Sequence, residues 1–160
     1  MRTASRLDAT LSGADQGDAL SQLEIDHRRV DSLFARASLS PHGPARRALV
    51  DQILEELTTH AELEETVVYP RIAQALPAAP WLVETSVEEH DEMRTVMAVL
   101  RTAEDEQSML IGIRALQLIV QAHVAVEEGE IFPAFRQMAT PDTLRSLDDE
   151  AAAHRAGGSR

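Results

Sequence analysis

The sequence predicts an all-α protein: an antiparallel up-down four-helix bundle with a pseudo-two-fold repeat, plus a short fifth helix at its C-terminal end. Three observations lead there. Four long amphipathic patterns carry apolar residues at helical spacing, proline-containing breaks separate most of them, and one segment recurs without gaps later in the chain. No stretch alternates apolar and polar residues as a half-buried strand does. A length of 160 residues fits one domain. Its expected division is a flexible arm over 1–18, the bundle over 19–140, and a short helix with a tail over 141–160.

The arm is rich in Ser, Ala, Gly, Asp and Thr and has no apolar periodicity. Ser21-Gln22-Leu23-Glu24 fits a capping box, in which a hydroxyl and a carboxylate satisfy free amides at a helix start, so the first helix is expected from Ser21. Leu23, Val30, Phe34 and Ala37 supply its apolar face, and Pro41-His42-Gly43-Pro44 breaks it. A second pattern runs from about Ala45 through Leu49, Ile53, Leu57 and Val67 towards Ala75, where Leu76-Pro77-Ala78-Ala79-Pro80 ends it. The third spans Trp81 to Thr102, with Val83, Val87, Met93, Met97 and Leu100 inward and Trp81 packing at its start. The fourth follows an acidic turn and covers Ser108 to Met138. Thr140-Pro141-Asp142 reads as a cap with proline in the first helical position, opening the fifth helix.

Twenty-seven acidic residues against fifteen basic give a formal charge of −12, which argues against nucleic-acid backbones and anionic membranes as partners. No apolar run approaches the ~20 residues of a membrane span, and the first residues lack the apolar stretch of a signal peptide, so a cytoplasmic location is expected. Cysteine is absent, which excludes disulfides, zinc fingers, iron–sulfur clusters and thiol catalysis. Any metal must then be held by histidine and carboxylate.

The repeat supplies both. His60-Ala-Glu-Leu-Glu64-Glu65-Thr-Val-Val-Tyr69-Pro70 aligns on His123-Val-Ala-Val-Glu127-Glu128-Gly-Glu-Ile-Phe132-Pro133. Each copy is preceded by a further histidine beside an acid, Asp26-His27 and Glu88-Glu89-His90. The separation from His27 to His60 equals that from His90 to His123, 33 residues, so the two hairpins are superposable. Residues four apart share a helix face, so His60 projects with Glu64 and His123 with Glu127, on the faces that carry the apolar residues. His27 and His90 fall between core positions of their own helices.

A buried carboxylate without a cation costs several kcal/mol, and no Lys or Arg stands beside Glu64 or Glu127 on these faces. A metal supplies the missing charge. Four imidazoles and two carboxylates exceed one tetrahedral zinc and suit a pair of octahedral ions bridged by carboxylates, iron first and manganese next. The Glu-x-x-His order of ferritin-like centres is found only at Glu24-His27. Glu65 and Glu128 sit about 100° from the bridging pair, which makes them supporting or solvated groups. Tyr69, nine positions after His60, falls on roughly the opposite side of an ideal helix and is expected away from the metal. Pro70 and Pro133 each remove a helical hydrogen bond and predict kinks. His42 and His154 read as surface residues.

The pattern H…HxxxE…H…HxxxE, carried from Leu20 to Met138, resembles that of hemerythrin-like proteins with the HHE cation-binding domain. The resemblance implies a non-haem di-iron centre: His27 and His60 on one iron, His90 and His123 on the other, Glu64 and Glu127 bridging, with an oxo or hydroxo group completing the bridge. It implies a small ligand, O2, H2O2 or NO, and a role in oxidative or nitrosative stress, either as a peroxidase- or catalase-like or NO-reactive oxidoreductase, or as a module that reversibly binds, senses or holds without turnover. Oxygen-carrying hemerythrins have a further histidine where this chain has Arg94, and end the last motif with Asp five residues after His, whereas Glu127 comes at four. Those departures leave each iron two histidines and favour peroxide or nitric oxide chemistry over oxygen carriage.

Overall fold

The computed structural model describes residues 18–158, and every regular element among them is helical. The expected arm, apart from Asp18, lies outside the described residues. Helix α1 spans Ala19–Leu39 and α2 spans Pro44–Leu63. A π-helical turn, Glu64–Val68, carries α2 on into α3, Tyr69–Ala75. Helix α4 is Pro80–Thr102 and α5 is Glu106–Val126. A second π turn, Glu127–Ile131, joins α5 to α6, Phe132–Met138, and α7 is Pro141–Gly157.

The starts follow local chemistry. Asp18 caps α1, its carboxylate accepting from the Ser21 amide at 2.8 Å, so the helix opens two residues before Ser21. Glu24 is drawn off by Arg136 at 2.9 Å and closes no capping box. Asp105 caps α5 and Thr140 caps α7, each accepting the amide three residues on. Gly43, at φ 120°, takes the left-handed conformation needed to turn from α1 into α2. Arg46, 5% exposed, donates to the carbonyls of Ala37 and Ser40 and closes the end of α1, while Arg47 donates to Leu100 O at 3.0 Å and closes that of α4.

The hairpins α1/α2 and α4/α5 pack side by side, with α1 against α5 and α2 against α4 completing the bundle. Gly112 lets α5 approach α4, because a Cβ there would lie 2.6 Å from Leu100 Cδ2. Helix α7 lies against α1, α2 and the first π turn, tied by Arg71–Glu150 and by Arg155–Asp26 at 2.8 Å.

The core has two apolar parts. One joins Val30, Phe34, Ile53, Met97, Ile113 and Leu116 around the middle of the hairpins. The other joins Leu20, Leu23, Ile72, Phe132, Phe135 and Leu147 under α7. Truncating a side chain such as Leu116, 0% exposed, to alanine costs about 2–5 kcal/mol. Between the two parts lies a slab of buried polar residues: His27, His60, Glu64, His90, His123 and Glu127.

Helix α4 turns slightly differently from the expected face. Leu82 and Ser86 take the inward places near its start, leaving Val83 and Val87 half-buried and Trp81 exposed at 56%. The stretch Glu106–Met138 is long and apolar enough to cross a bilayer, contrary to expectation. In this fold its inward residues Ile113, Leu116 and Val120 are core.

Candidate metal centre

The slab is built by the repeat. His27 stands on α1, His60 on α2, His90 on α4 and His123 on α5, one at similar depth on each helix, and Glu64 and Glu127 open the two π turns. All six expected residues come together. The Nε2 atoms of His27 and His60 are 3.0 Å apart, and those of His90 and His123 are 3.2 Å apart. Glu64 reaches both pairs, Oε1 lying 3.0 Å from His60 Nε2 and Oε2 3.3 Å from His90 Nε2. Glu127 Oε2 is 3.3 Å from both His27 and His123 Nε2.

The outer ring nitrogens explain why the inner ones converge. Glu128 lies 2.9 Å from His27 Nδ1, Glu65 2.8 Å from His90 Nδ1 and Glu89 2.8 Å from His123 Nδ1. A carboxylate only accepts, so each of these Nδ1 atoms donates to it, and that hydrogen bond turns Nε2 inward as the atom available to a metal. His60 is the exception: Asp26 stands 3.9 Å from its Nδ1, outside hydrogen-bonding range, and pairs instead with Arg155. The arrangement crosses between hairpins. Glu65, on the first, serves a histidine of the second, and Glu128 does the reverse.

Lone pairs and carboxylates aimed at one another need positive charge between them. Glu64 Oε1 and Glu127 Oε2, both in residues 0% exposed, have no hydrogen-bond partner among the described residues, although imidazole nitrogens lie close by. Two groups of donor atoms could each hold an ion: His27, His60, Glu64 and Glu127, and Glu64, His90 and His123. Oxygen and nitrogen donors without sulfur suit iron or manganese. The donor set therefore fits metal, and the protonation balance shows what replaces it. Burial alone would lower the His60 pKa, but the Glu64 charge and nearby Asp26 raise it to about 10. Burial opposes protonation of His123 too, and Glu127, Glu64 and Glu89 raise it to about 9. Burial would raise Glu64, yet the His60 charge holds it well below the usual carboxylate range. Burial and the Glu64 charge push Glu127 up, and the histidines beside it bring it below its ordinary value. Without metal, protons on His60 and His123 supply the charge.

Tyr69 corrects the expectation from an ideal helix. Its hydroxyl donates to Glu127 Oε1 at 2.8 Å and lies 3.4 Å from Glu64 Oε2 and 3.5 Å from His90 Nε2, inside the slab. The cause is the π turn, in which the Tyr69 amide bonds to the Glu64 carbonyl five residues back. That extra residue sets everything after it back by about 100° and swings Tyr69 inward. Pro70 lacks the amide that would reach Thr66, and its ring crowds that carbonyl, which favours the wider turn. The matching Pro133 accompanies the second π turn, where Phe132 stacks on His27 at 6.3 Å and 7°. Burial and the charges of Glu64 and Glu127 raise the Tyr69 pKa far beyond its usual range, so the phenol stays protonated.

Sequence reasoning also gave no role to Glu89 or Asp26. The signal was present: each immediately precedes a histidine, and a side chain one residue away points about 100° aside, towards the neighbouring helix. Arg94 does not enter the slab but binds Glu65 at 2.6 Å and Asp91 at 2.8 Å at the surface. His42 is exposed and His154 half-buried.

A helical bundle with a buried histidine–carboxylate slab is a cation-binding module. Residues 18–155 match the model of the hemerythrin HHE cation binding domain, and the chain belongs to that family. It is similar to the crystal structure of a hemerythrin HHE cation binding domain-containing protein from Mycobacterium kansasii, with a TM-score of 0.74 and 26% identity over 89% of this chain and 90% of that one. A curated relative from Nostoc sp., named DNA nickase, is 29% identical over 131 residues. The match covers 80% of this chain and 37% of the relative, so the chain spans little more than a third of that protein's length.

Proposed function

We propose that this protein is a non-haem di-iron protein that reacts with a small oxidant or diatomic ligand, H2O2, NO or O2. In this reading His27 and His60 hold one iron, His90 and His123 the other, and Glu64 and Glu127 bridge the two. The observation that carries it is the convergence of paired Nε2 atoms at 3.0 and 3.2 Å around carboxylate oxygens that lack partners. Two bound irons would supply one- and two-electron exchange with such reactants at positions the side chains leave free.

The chain's own groups have definite parts in this. Glu128, Glu65 and Glu89 fix the tautomer and direction of three imidazoles and raise their basicity as donors. Tyr69 keeps a proton 2.8 Å from Glu127 Oε1, next to the place where a reactant would gain negative charge. The two apolar parts of the core cover the slab from either end, leaving His27 and His90 each at the edge of a cleft.

Metal analysis of the protein as purified, with its visible spectrum, tests the centre. Two irons per chain and a spectrum that changes on adding peroxide or nitric oxide are expected. Absence of stoichiometric metal, with thermal stability unmoved by chelation, would overturn it. Reversible change on alternating oxygen and argon, without peroxide consumption, would favour a binding or sensing module, a reading that the burial of Glu64 and Glu127 also supports. DNA nicking is not carried over from the Nostoc relative, because a charge of −12 repels a phosphate backbone.

A further inference from the structure

Three of the four imidazoles rest on a carboxylate, and the repeat assigns one to the fourth as well. Asp26 immediately precedes His27 as Glu89 precedes His90, so Asp26 is placed for His60 as Glu89 is for His123. Glu89 Oε2 lies 2.8 Å from His123 Nδ1, whereas Asp26 Oδ2 stops 3.9 Å from His60 Nδ1, a buried nitrogen without a hydrogen-bond partner among the described residues. That same Asp26 oxygen accepts from an Arg155 guanidinium nitrogen at 2.8 Å. Arg155 stands in the last turn of α7, an element outside the repeat. Helix α7 packs on α1, α2 and the first π turn, which carry His27, His60 and Glu64, so a cation competes for the carboxylate in this half. Aspartate is also one methylene shorter than glutamate. The competition is the stronger cause, because the oxygen nearest the ring is the one the guanidinium holds, and a charge-assisted hydrogen bond outweighs one to a neutral ring.

We propose that Arg155 is a positioning residue for the metal at His27 and His60: by holding Asp26 it keeps His60 the one imidazole without a carboxylate behind it, and so keeps that metal more exchangeable than the repeat alone would make it. The inference rests on the di-iron reading and goes beyond it by giving the two metal positions unequal strength and α7 a part in the difference. A ligand histidine whose outer nitrogen donates to a carboxylate is fixed in direction and is the more basic donor. His60 forgoes both while Arg155 is paired. The Arg155 and Asp26 side chains are 38% and 20% exposed, and a pair so near solvent costs little to break. Passing Asp26 from Arg155 to His60 is therefore a small step in energy as well as in distance.

Iron release from the loaded full-length chain to excess chelator, followed by absorbance of the chelate, is the test, with the reduction potential of the bound iron as a second readout. Arg155→Gln frees Asp26 for His60, slows the release of one iron of the two about tenfold, the low end of what an outer carboxylate is worth, and lowers the potential, because a more basic imidazole favours the ferric state. Arg155→Lys keeps the ion pair and releases iron as the parent does. Asp26→Asn alone changes release little, since Asp26 is withheld, but in the Arg155→Gln background it abolishes the gain. The control Arg71→Gln loosens α7 at Glu150 without touching Asp26 and does not slow release. Unchanged or faster release in Arg155→Gln, a gain that survives Asp26→Asn, or equal slowing by Arg71→Gln would overturn the assignment. So would slowing by Asp26→Glu with none in Arg155→Gln, which would make side-chain reach the cause. Each of these outcomes leaves two irons bound and the di-iron reading intact, whereas a purified protein without stoichiometric metal removes both.

Discussion

Tyr69 and Phe132 stand at equivalent places in the two hairpins, each just after a π turn, each almost fully buried, and each stacked on an imidazole. They differ by one oxygen. Phe132 presents His27 with an apolar face, while Tyr69 puts a proton donor among Glu127, Glu64 and His90. The histidines, the two buried glutamates and three of the carboxylates behind the rings hold to the two-fold pattern much more closely. The proposed pair of like cations would require that symmetry, since both halves would have to present the same donors and the same charge. In the proposed reading, the halves would treat a reactant differently where they part, at Tyr69 against Phe132.

The largest effect comes from breaking what the halves share. Glu64→Ala removes the carboxylate that reaches both histidine pairs and leaves buried imidazolium charge uncompensated in the metal-free chain. Losing one partner of such a buried set costs about 3–5 kcal/mol. Metal occupancy should collapse, and Glu127→Ala should do nearly the same. Occupancy near that of the parent in either variant, measured by metal analysis after dialysis, would contradict bridging. The chelated protein also has a pH signature. His60 and His123 are raised from their ordinary 6.5 to about 10 and about 9. Groups whose folded pKa is raised contribute stability that is fully present below about 6.5 and is lost as pH climbs through 9 to 10. The melting temperature of the chelated protein should therefore fall between pH 7 and 10. Iron loading at pH 7 should release protons, because metal replaces those on the imidazoles. A flat melting profile over that range, or loading without proton release, would show that protons do not occupy the slab.

The helices and the six residues of the slab were legible because each depends on local spacing. Four-residue steps put His60 with Glu64 and His123 with Glu127, and proline and acidic caps mark several boundaries. Tyr69 was not legible, because one residue of π insertion is invisible to a count at 100° per position, although the twin prolines at 70 and 133 marked where the count fails. The roles of Glu89 and Glu128 depend on which helix packs beside which, and pairing between helices is set by the tertiary fold rather than by the period of one helix. The start of α1 was misjudged because Asp18 competes with Ser21 for the same free amides and, as a carboxylate, takes the cap.

Smaller effects test the carboxylates behind the rings. Glu65→Ala and Glu128→Ala each leave one Nδ1 without its acceptor, and outer partners of this kind are worth about 10–100-fold in metal affinity. The two should not be identical. Glu65 is also bound by Arg94 at 2.6 Å, which draws on its negative charge and makes it the weaker acceptor for His90, whereas the place of Arg94 in the other half is taken by Asp31, which gives Glu128 no such partner. Glu128→Ala is expected to cost the larger share of affinity, measured by competition with a chelator. A greater loss in Glu65→Ala would mean that Arg94 strengthens its neighbour's hold on His90.

The smallest change in structure tests the difference on which the halves part. Tyr69→Phe makes the two positions alike and takes from Glu127 Oε1 a donor at 2.8 Å. A hydrogen bond to a charged acceptor contributes about 1.5–3 kcal/mol, so the variant should melt several degrees lower while retaining its metal. Phe132→Tyr supplies the reverse change: its new hydroxyl points, by the two-fold relation, towards Glu64, which has an oxygen without a hydrogen-bond partner. The double variant exchanges the donor from one half to the other. If the phenol acts only by satisfying a buried carboxylate, the double variant should recover both stability and reactivity towards peroxide. If its place beside His90 matters, stability returns and reactivity does not, because the proton then sits on the His27 side, away from His90. We expect the second outcome, since the Tyr69 hydroxyl lies within 3.5 Å of Glu127, Glu64 and His90 together, a meeting point that a phenol on the His27 side would leave.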